Sequence, residues 1–297
     1  MKKNKAYMIY AFITVFIWAT AFLFTQYASE SFSSQSIGFL RYLVASVALI
    51  LIMAVKRTGL PKLKDVPKFL LAGFVGFAVY VTAFNKSVET INGATCSVIG
   101  QFIPILTAVF SCVILHERIS FKGWLCIGLA FAGILVLTLW NGALSIKPGV
   151  LWMLSASVAL STYNLLQRMF VRDYTPFQVT SYCILGGTLF LFLFLPGTIP
   201  EIAGASLVSW GAVAYLGLFG GALAYVFWAK AFSMAERTSD VSNFMFATPL
   251  ITSLVGFVAK GEVPGPETII GGILIIGGMI LFQMEKQRDG KKREEKA

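Results

Sequence analysis

The chain is a succession of apolar blocks, each about 20 residues long, separated by short polar breaks. At ~1.5 Å per residue a helix of that length crosses a ~30 Å hydrocarbon core, so each block reads as a membrane span. Ten spans are predicted: 7–28, 34–55, 67–88, 92–115, 121–140, 148–170, 176–195, 207–230, 238–260 and 266–285. Turn chemistry marks the breaks: Gly59-Leu60-Pro61, Asn92-Gly93, Lys147-Pro148-Gly149, Thr175-Pro176, Pro196-Gly197 and Pro264-Gly265-Pro266. These connections leave no room for a soluble domain. The blocks do not alternate in polarity, which excludes a transmembrane barrel of ~10-residue alternating strands. The charged residues 285–297 are expected to form a disordered tail.

Part of this pattern occurs twice. Ser97, Pro104, Thr107, Glu117 and Gly133 recur 145 residues later, without a gap, as Ser242, Pro249, Thr252, Glu262 and Gly278. A proline, a glutamate and a glycine holding one spacing point to an internal duplication. The ten spans then divide into two five-helix halves, 1–145 and 146–286, followed by a charged tail at 287–297. An odd number of spans reverses the chain's direction, so the expected fold is an all-α membrane protein of two inverted repeats. Such repeats recur in secondary transporters, with the substrate site at their interface near the midplane.

Composition agrees with this reading. The chain is 57% hydrophobic and 13% charged, whereas soluble domains carry about 25% charged residues. The net charge of +10 does not indicate nucleic acid, because the basic residues sit in the breaks, where topology accounts for them. With the N-terminus inside, twenty of the 24 Lys and Arg fall on one face. The other face holds Lys86, Lys147 and Lys260, and Arg41 lies within a span. The positive-inside rule then places both termini in the cytoplasm, in a cell inner (plasma) membrane. The run after Lys2, Lys3 and Lys5 is too long for a signal peptide and reads as the first span. The four cysteines lie inside apolar blocks without metal-ligand spacing and read as small buried hydrophobes. No metal or other cofactor is expected.

Candidate chemistry is concentrated in few positions. Pro104 and Pro249 fall near the middle of their spans, where proline frees the carbonyls of Gly100 and Met245. In hydrocarbon those carbonyls must face protein or a wet cavity. The two helices thus either line a pathway or carry packing kinks satisfied by a neighbour. Ser97 and Gln101 share the Pro104 face, and Ser242 and Phe246 the Pro249 face. Trp18, Thr20 and Gln26 in the first span match Thr162, Tyr163, Asn164 and Gln167 in the sixth. Singly, such residues are helix–helix glue. Together with Tyr80, Asn85, Tyr225, Trp228 and Asn243 they suggest a wet aromatic cavity. Arg41 is about 10 Å below the outer surface at ~1.5 Å per residue. It either receives a substrate carboxylate or snorkels outward. Asp240 reads as a helix cap and Lys230 as an interfacial anchor. The glycines at 128, 133, 271, 272, 277 and 278 offer close-packing surfaces, within one chain or between two, so both a monomer and a homodimer remain open.

At these residues the chain resembles the EamA family of the drug/metabolite transporter superfamily. The shared features are Pro104 followed by Leu115-His116-Glu117-Arg118 and a glycine-rich helix, the Pro249 and Gly261-Glu262 repeat of it, the Trp18-Ala19 span, and Arg41 after Ser36. Lys260 departs from the pattern, where the family has an apolar residue. The resemblance implies a ten-helix carrier of two inverted halves, working by alternating access on small metabolites. The expected function is a metabolite exporter, most naturally of amino acids or related zwitterions. The alternative is efflux of cationic drugs. A membrane enzyme is disfavoured, because paired acids or a His cluster at mid-depth are missing from the sequence. The expected substrate-binding set is Trp18, Arg41, Tyr80, Gln101, Tyr163, Asn164, Tyr225, Trp228 and Asn243. Pro104 and Pro249 are expected to be hinge residues of the pathway.

Overall fold

A computed structural model describes residues 6–114, 120–139, 148–170, 173–234, 243–261 and 263–294. Helices make up the architecture, and no strand occurs among the described residues. In chain order they are α1 (Ala6–Ala28), α2 (Ser34–Val55), α3 (Val66–Gly73), α4 (Tyr80–Thr90), α5 (Gly93–Gly100), α6 (Phe102–Ile114) and α7 (Phe121–Leu139). Then follow α8 (Pro148–Phe170), α9 (Pro176–Leu191), α10 (Leu195–Gly204), α11 (Leu207–Tyr215), α12 (Ala224–Met234), α13 (Thr248–Lys260) and α14 (Pro266–Glu294). Among the described residues six continuous helical stretches are long and apolar enough to cross a bilayer: Ala6–Ala28, Ser34–Val55, Leu63–Thr90, Pro148–Gln167, Pro176–Gly204 and Leu207–Trp228. Shorter apolar helices, Thr95–Thr107, Phe121–Gly133, Ile251–Lys260 and Pro266–Phe282, coincide with the other four predicted blocks.

Local chemistry sets the boundaries. Ser33, Asn92 and Ser206 cap α2, α5 and α11 with side-chain oxygens that accept from Ser36 N, Thr95 N and Ser209 N. Thr175 and Gln178 form a full capping box at the start of α9, with Pro176 in the first turn. α13 ends at Gly261, whose φ of 67° is the left-handed conformation that glycine adopts without a Cβ clash.

Several expectations need correction. The seventh span does not end at Pro196-Gly197. It continues through a 3-10 turn into α10, because Pro196 falls in that helix's first turn, where no N–H is needed. The C-terminal residues are not disordered from 285. α14 runs on to Glu294, through Glu, Lys, Gln and Arg residues of good helix propensity. Of the glycines expected to pack, Gly128 and Gly277 meet nothing within 4 Å. Gly133 and Gly278 do pack, on the facing helix of the α7–α14 pair.

Two helices contain a π-helical stretch. Phe74–Val79 joins α3 to α4, and Leu216–Leu223 joins α11 to α12. Each lies on a glycine pair, Gly73/Gly76 and Gly217/Gly220, that permits close approach of a neighbouring backbone. A Cβ on Gly73 would fall 2.3 Å from Cys183 O on α9, and one on Gly217 2.8 Å from Arg41 O on α2. The helix pairs also correspond. α4 packs on α8 as α12 packs on α1, and α6 lies on α8 as α13 lies on α1. The largest core cluster is drawn from both sequence halves, with Phe77, Tyr42, Tyr163, Cys183 and Leu216 among its fully buried members.

Candidate functional site

The site is assembled around Phe77, in the first π stretch. Its ring meets Tyr163 of α8 edge-on at 4.9 Å, Tyr42 of α2 at 5.3 Å and Tyr225 of α12 at 5.5 Å. Trp18 of α1 extends the cluster, with ring centroids 5.3 Å from Tyr225 and 5.1 Å from Trp228. Edge-to-face pairs of this kind place positive ring edges on negative faces and stabilise by roughly 0.5–1.5 kcal/mol each. The Trp18 indole Nε1 also donates to Gly220 O, 3.3 Å away, in the second π stretch. Carbonyls in a π turn depart from the α ladder, and an indole donor suits such a group.

Arg41 lies beside this cluster. Its guanidinium stands over the Tyr42 ring at 5.5 Å and would be 3.4 Å from a Cβ placed on Gly220. Arg41 is 4% exposed. Almost all of the side chain is thus packed within the protein.

Trp18, Arg41, Tyr80, Tyr163, Tyr225 and Trp228 are thus gathered in one region, from α1, α2, α4, α8 and α12. Gln101 and Asn164 show no contact with these rings among the described residues. Gln101 is buried at the turn between α5 and α6, where its Nε2 donates to Ser97 O at 3.3 Å. Asn164 is half-buried on α8. The side chains of Asn243, Pro104 and Pro249 lie outside the described residues, as do Glu117, Glu262 and Asp240. The backbone around the prolines is described, and it is broken rather than bent. α5 stops at Gly100, Gln101 N turns back to Val98 O, and α6 restarts at Phe102. In the second case a 3-10 stretch, Asn243–Ala247, precedes α13. Each proline therefore sits in the first turn of a new helix, where its missing N–H costs nothing. The break in the first half is tied to the second by Ser161 Oγ, which donates to Ile103 O at 2.9 Å.

Tyr42 and Phe77 are central here and were not singled out in the sequence. Tyr42 adjoins Arg41 and Phe77 lies in a glycine-flanked run, but both read as ordinary apolar-span residues. Asn85 proves to be glue: its Nδ2 donates to Ser34 O at 2.9 Å, fixing α4 to the start of α2. Gln167 Nε2 donates to the Tyr163 hydroxyl at 3.2 Å. Among the described residues no three His, Cys, Asp or Glu are grouped to hold a metal ion.

A family model described as the EamA-like transporter family matches residues 5–139 and again 147–284. The chain is 27% identical over 291 residues to the uncharacterized transporter YdfC of Bacillus subtilis (strain 168), covering 98% of this chain and 95% of that one. It is also 27% identical over 295 residues to a probable terminal-alkyne amino-acid exporter of Streptantibioticus cattleyicolor, covering 99% and 98%. A solved crystal structure shares the fold, with a TM-score of 0.65 at 20% identity over 95% of this chain and 97% of that one. With both stretches matched, and with apolar helices of spanning length, the chain belongs to the EamA-like transporter family and is a multi-pass membrane protein.

Proposed function

We propose that this transporter exports amino acids or related zwitterionic metabolites by alternating access between two inverted five-helix halves, 1–145 and 146–286. The single observation that carries the reading is the buried aromatic cluster. Its rings come from α1, α2, the first π stretch, α8 and α12, and so from both halves at once. A solute held there would feel any movement of one half against the other.

Inversion is supported by contacts that exchange under the repeat. A Cβ on Gly133 would lie 2.6 Å from Gly271 O and 2.7 Å from the Ile275 side chain. One on Gly278 would lie 2.8 Å from Cys126 O and 2.8 Å from Ala130 N. Shifting by 145 converts the first set of contacts into the second. The order along α7 runs opposite to that along α14, as a two-fold axis passing between the two helices requires. The swapped packing of α4 on α8 and α12 on α1 supports the same relation. The apolar blocks support ten spans, and the basic-residue distribution supports cytoplasmic termini in an inner membrane.

The substrate class rests on the character of the lining. Neutral aromatic rings and one guanidinium suit a small amphipathic zwitterion, and one relative is named as a probable amino-acid exporter. The competing reading, efflux of cationic drugs, draws on the Trp18–Trp228–Tyr225 faces, since rings bind cations at about 0.5–2 kcal/mol each. Uptake into inverted vesicles decides between them, with a labelled amino-acid panel set against a cationic dye. Amino-acid accumulation is the expected result. Uptake of the dye alone, unaffected by excess amino acids, reverses the assignment.

A further inference from the structure

Among the described residues Arg41 is a buried cation without an acid beside it. Among the described residues the ion pairs are Lys68–Asp65 and Lys86–Glu89, and neither involves it. Its Nε–H is buried and has no hydrogen-bond partner. The neighbouring Tyr42 hydroxyl is in the same condition, fully buried and unpartnered. Native interiors leave few such groups unmade, and an unpaired buried charge is among the most costly of them. The Tyr42 ring face under the guanidinium offsets part of that cost but satisfies no N–H. What converges here is a set of donors. A guanidinium can only donate, and the neighbouring Tyr42 phenol brings a rotating O–H. The missing partner is an acceptor that carries negative charge.

Gly220 faces the guanidinium without a side chain, where an added Cβ would already touch Nη2 at 3.4 Å. The Gly217 and Gly221 contacts with Arg41 O and Ala45 hold this part of α2 tightly against the second π stretch. That packing fixes the Arg41 backbone beside the second π stretch. Arginine at such a point presents a planar fork matched to a carboxylate.

We propose that Arg41 and Tyr42 form a binding site for a monovalent anionic group of carboxylate size. The proposal rests on the reading of the aromatic cluster as the solute site, and it assigns the solute's carboxylate to the α2 side of that cluster. A free inorganic anion offers the same chemistry and is the second source to be distinguished.

The test is thermal unfolding of the purified full chain in detergent, at fixed ionic strength with a bulky sulfonate as the counter-ion. Sodium acetate, sodium chloride and neutral acetamide are titrated in turn. A ligand that binds only the folded chain raises the midpoint as its concentration passes Kd. Acetate is expected to raise the midpoint saturably, and acetamide is not. Arg41→Gln should abolish the acetate response, Arg41→Lys should shift its half-saturation at least fivefold upward, and Tyr42→Phe should weaken it in the same direction. A chloride response matching that of acetate assigns the site to small anions in general, and an acetate response alone assigns it to carboxylates. Equal responses to acetate and acetamide overturn the site. So does an acetate response that survives in Arg41→Gln, or, should that variant not fold, one unchanged in both Arg41→Lys and Tyr42→Phe. Failure of amino-acid export with the acetate response intact removes the amino-acid substrate reading and leaves the site standing.

Discussion

Gly73 and Gly187 meet backbone to backbone. A Cβ on Gly73 would fall 2.4 Å from the Gly187 amide nitrogen, and one on Gly187 would fall 2.6 Å from the Gly73 carbonyl oxygen. These atoms belong to helix backbones and cannot swing aside as a side chain can. In lipid, where helices gain little from apolar burial against one another, such approach is a main source of association. Gly73→Ala and Gly187→Ala should each destabilise the folded chain by about 1–3 kcal/mol, the usual range for overpacking. Gly211→Ala and Gly128→Ala, at positions with nothing within 4 Å, should leave thermal unfolding in detergent unchanged. A drop of equal size in all four variants would show that glycine, and not the contact, is what matters.

Leu63 and Leu207 open the two π-containing spans and differ by 144 residues, with relative exposures of 90% and 89%. In an inverted pair, equivalent positions lie on opposite membrane faces. Single cysteines at Leu63 and Leu207, in a cysteine-free background, should react with an impermeant maleimide from opposite sides. Leu63→Cys is expected to label in inverted vesicles and Leu207→Cys in intact cells. Labelling of both from one side removes the inversion.

A clamp joins the halves near Leu63. Tyr174 donates to Asp65 Oδ2 at 2.9 Å and accepts from Lys62 N at 3.0 Å, while Lys68 Nζ holds Asp65 Oδ1 at 2.8 Å. Lys68 is well exposed, so its ion pair adds little; the Tyr174 hydroxyl carries the link through two hydrogen bonds. Tyr174→Phe should therefore raise amide hydrogen exchange of residues 57–65 by several-fold, in line with about 0.5–1.5 kcal/mol per hydrogen bond. Lys68→Ala should raise it far less. Equal effects would mean that the charge pair holds the loop.

Block length and the turn pairs Asn92-Gly93 and Thr175-Pro176 made the starts of the long helices legible in the sequence, because turn chemistry and apolar length are local signals. The repeat was legible through Pro104, Pro249, Gly133 and Gly278. The π stretches were not. An i→i+5 turn at Phe74–Val79 depends on what Gly73 and Gly76 meet across the fold, namely Cys183 O and the Tyr163 ring. For the same reason Tyr42 and Phe77 passed as ordinary span residues. Their role comes from neighbours 35 to 150 residues away in sequence. The helix breaks at Gln101 and before Thr248 were half-visible. Proline signalled a disturbance, but only tertiary partners such as Ser161 decide between a bend and a fresh start.

Trp18 joins two of these features, since its ring packs on Tyr225 and Trp228 while its Nε1 donates to Gly220 O. Trp18→Phe keeps an aromatic ring and removes the donor, leaving the π-stretch carbonyl to find another partner. Trp18→Ala removes both. The hydrogen bond is worth about 0.5–1.5 kcal/mol, and each lost ring pair adds about as much again, before the loss of buried area. Trp18→Phe should unfold slightly below wild type and Trp18→Ala clearly below it. The rate of amino-acid uptake into inverted vesicles should follow a different order. If the indole couples α1 to the second π stretch during turnover, Trp18→Phe loses most of the rate while keeping most of the stability. A Trp18→Phe chain that transports at the wild-type rate would mean that the ring face alone is used, and that the Gly220 link serves packing.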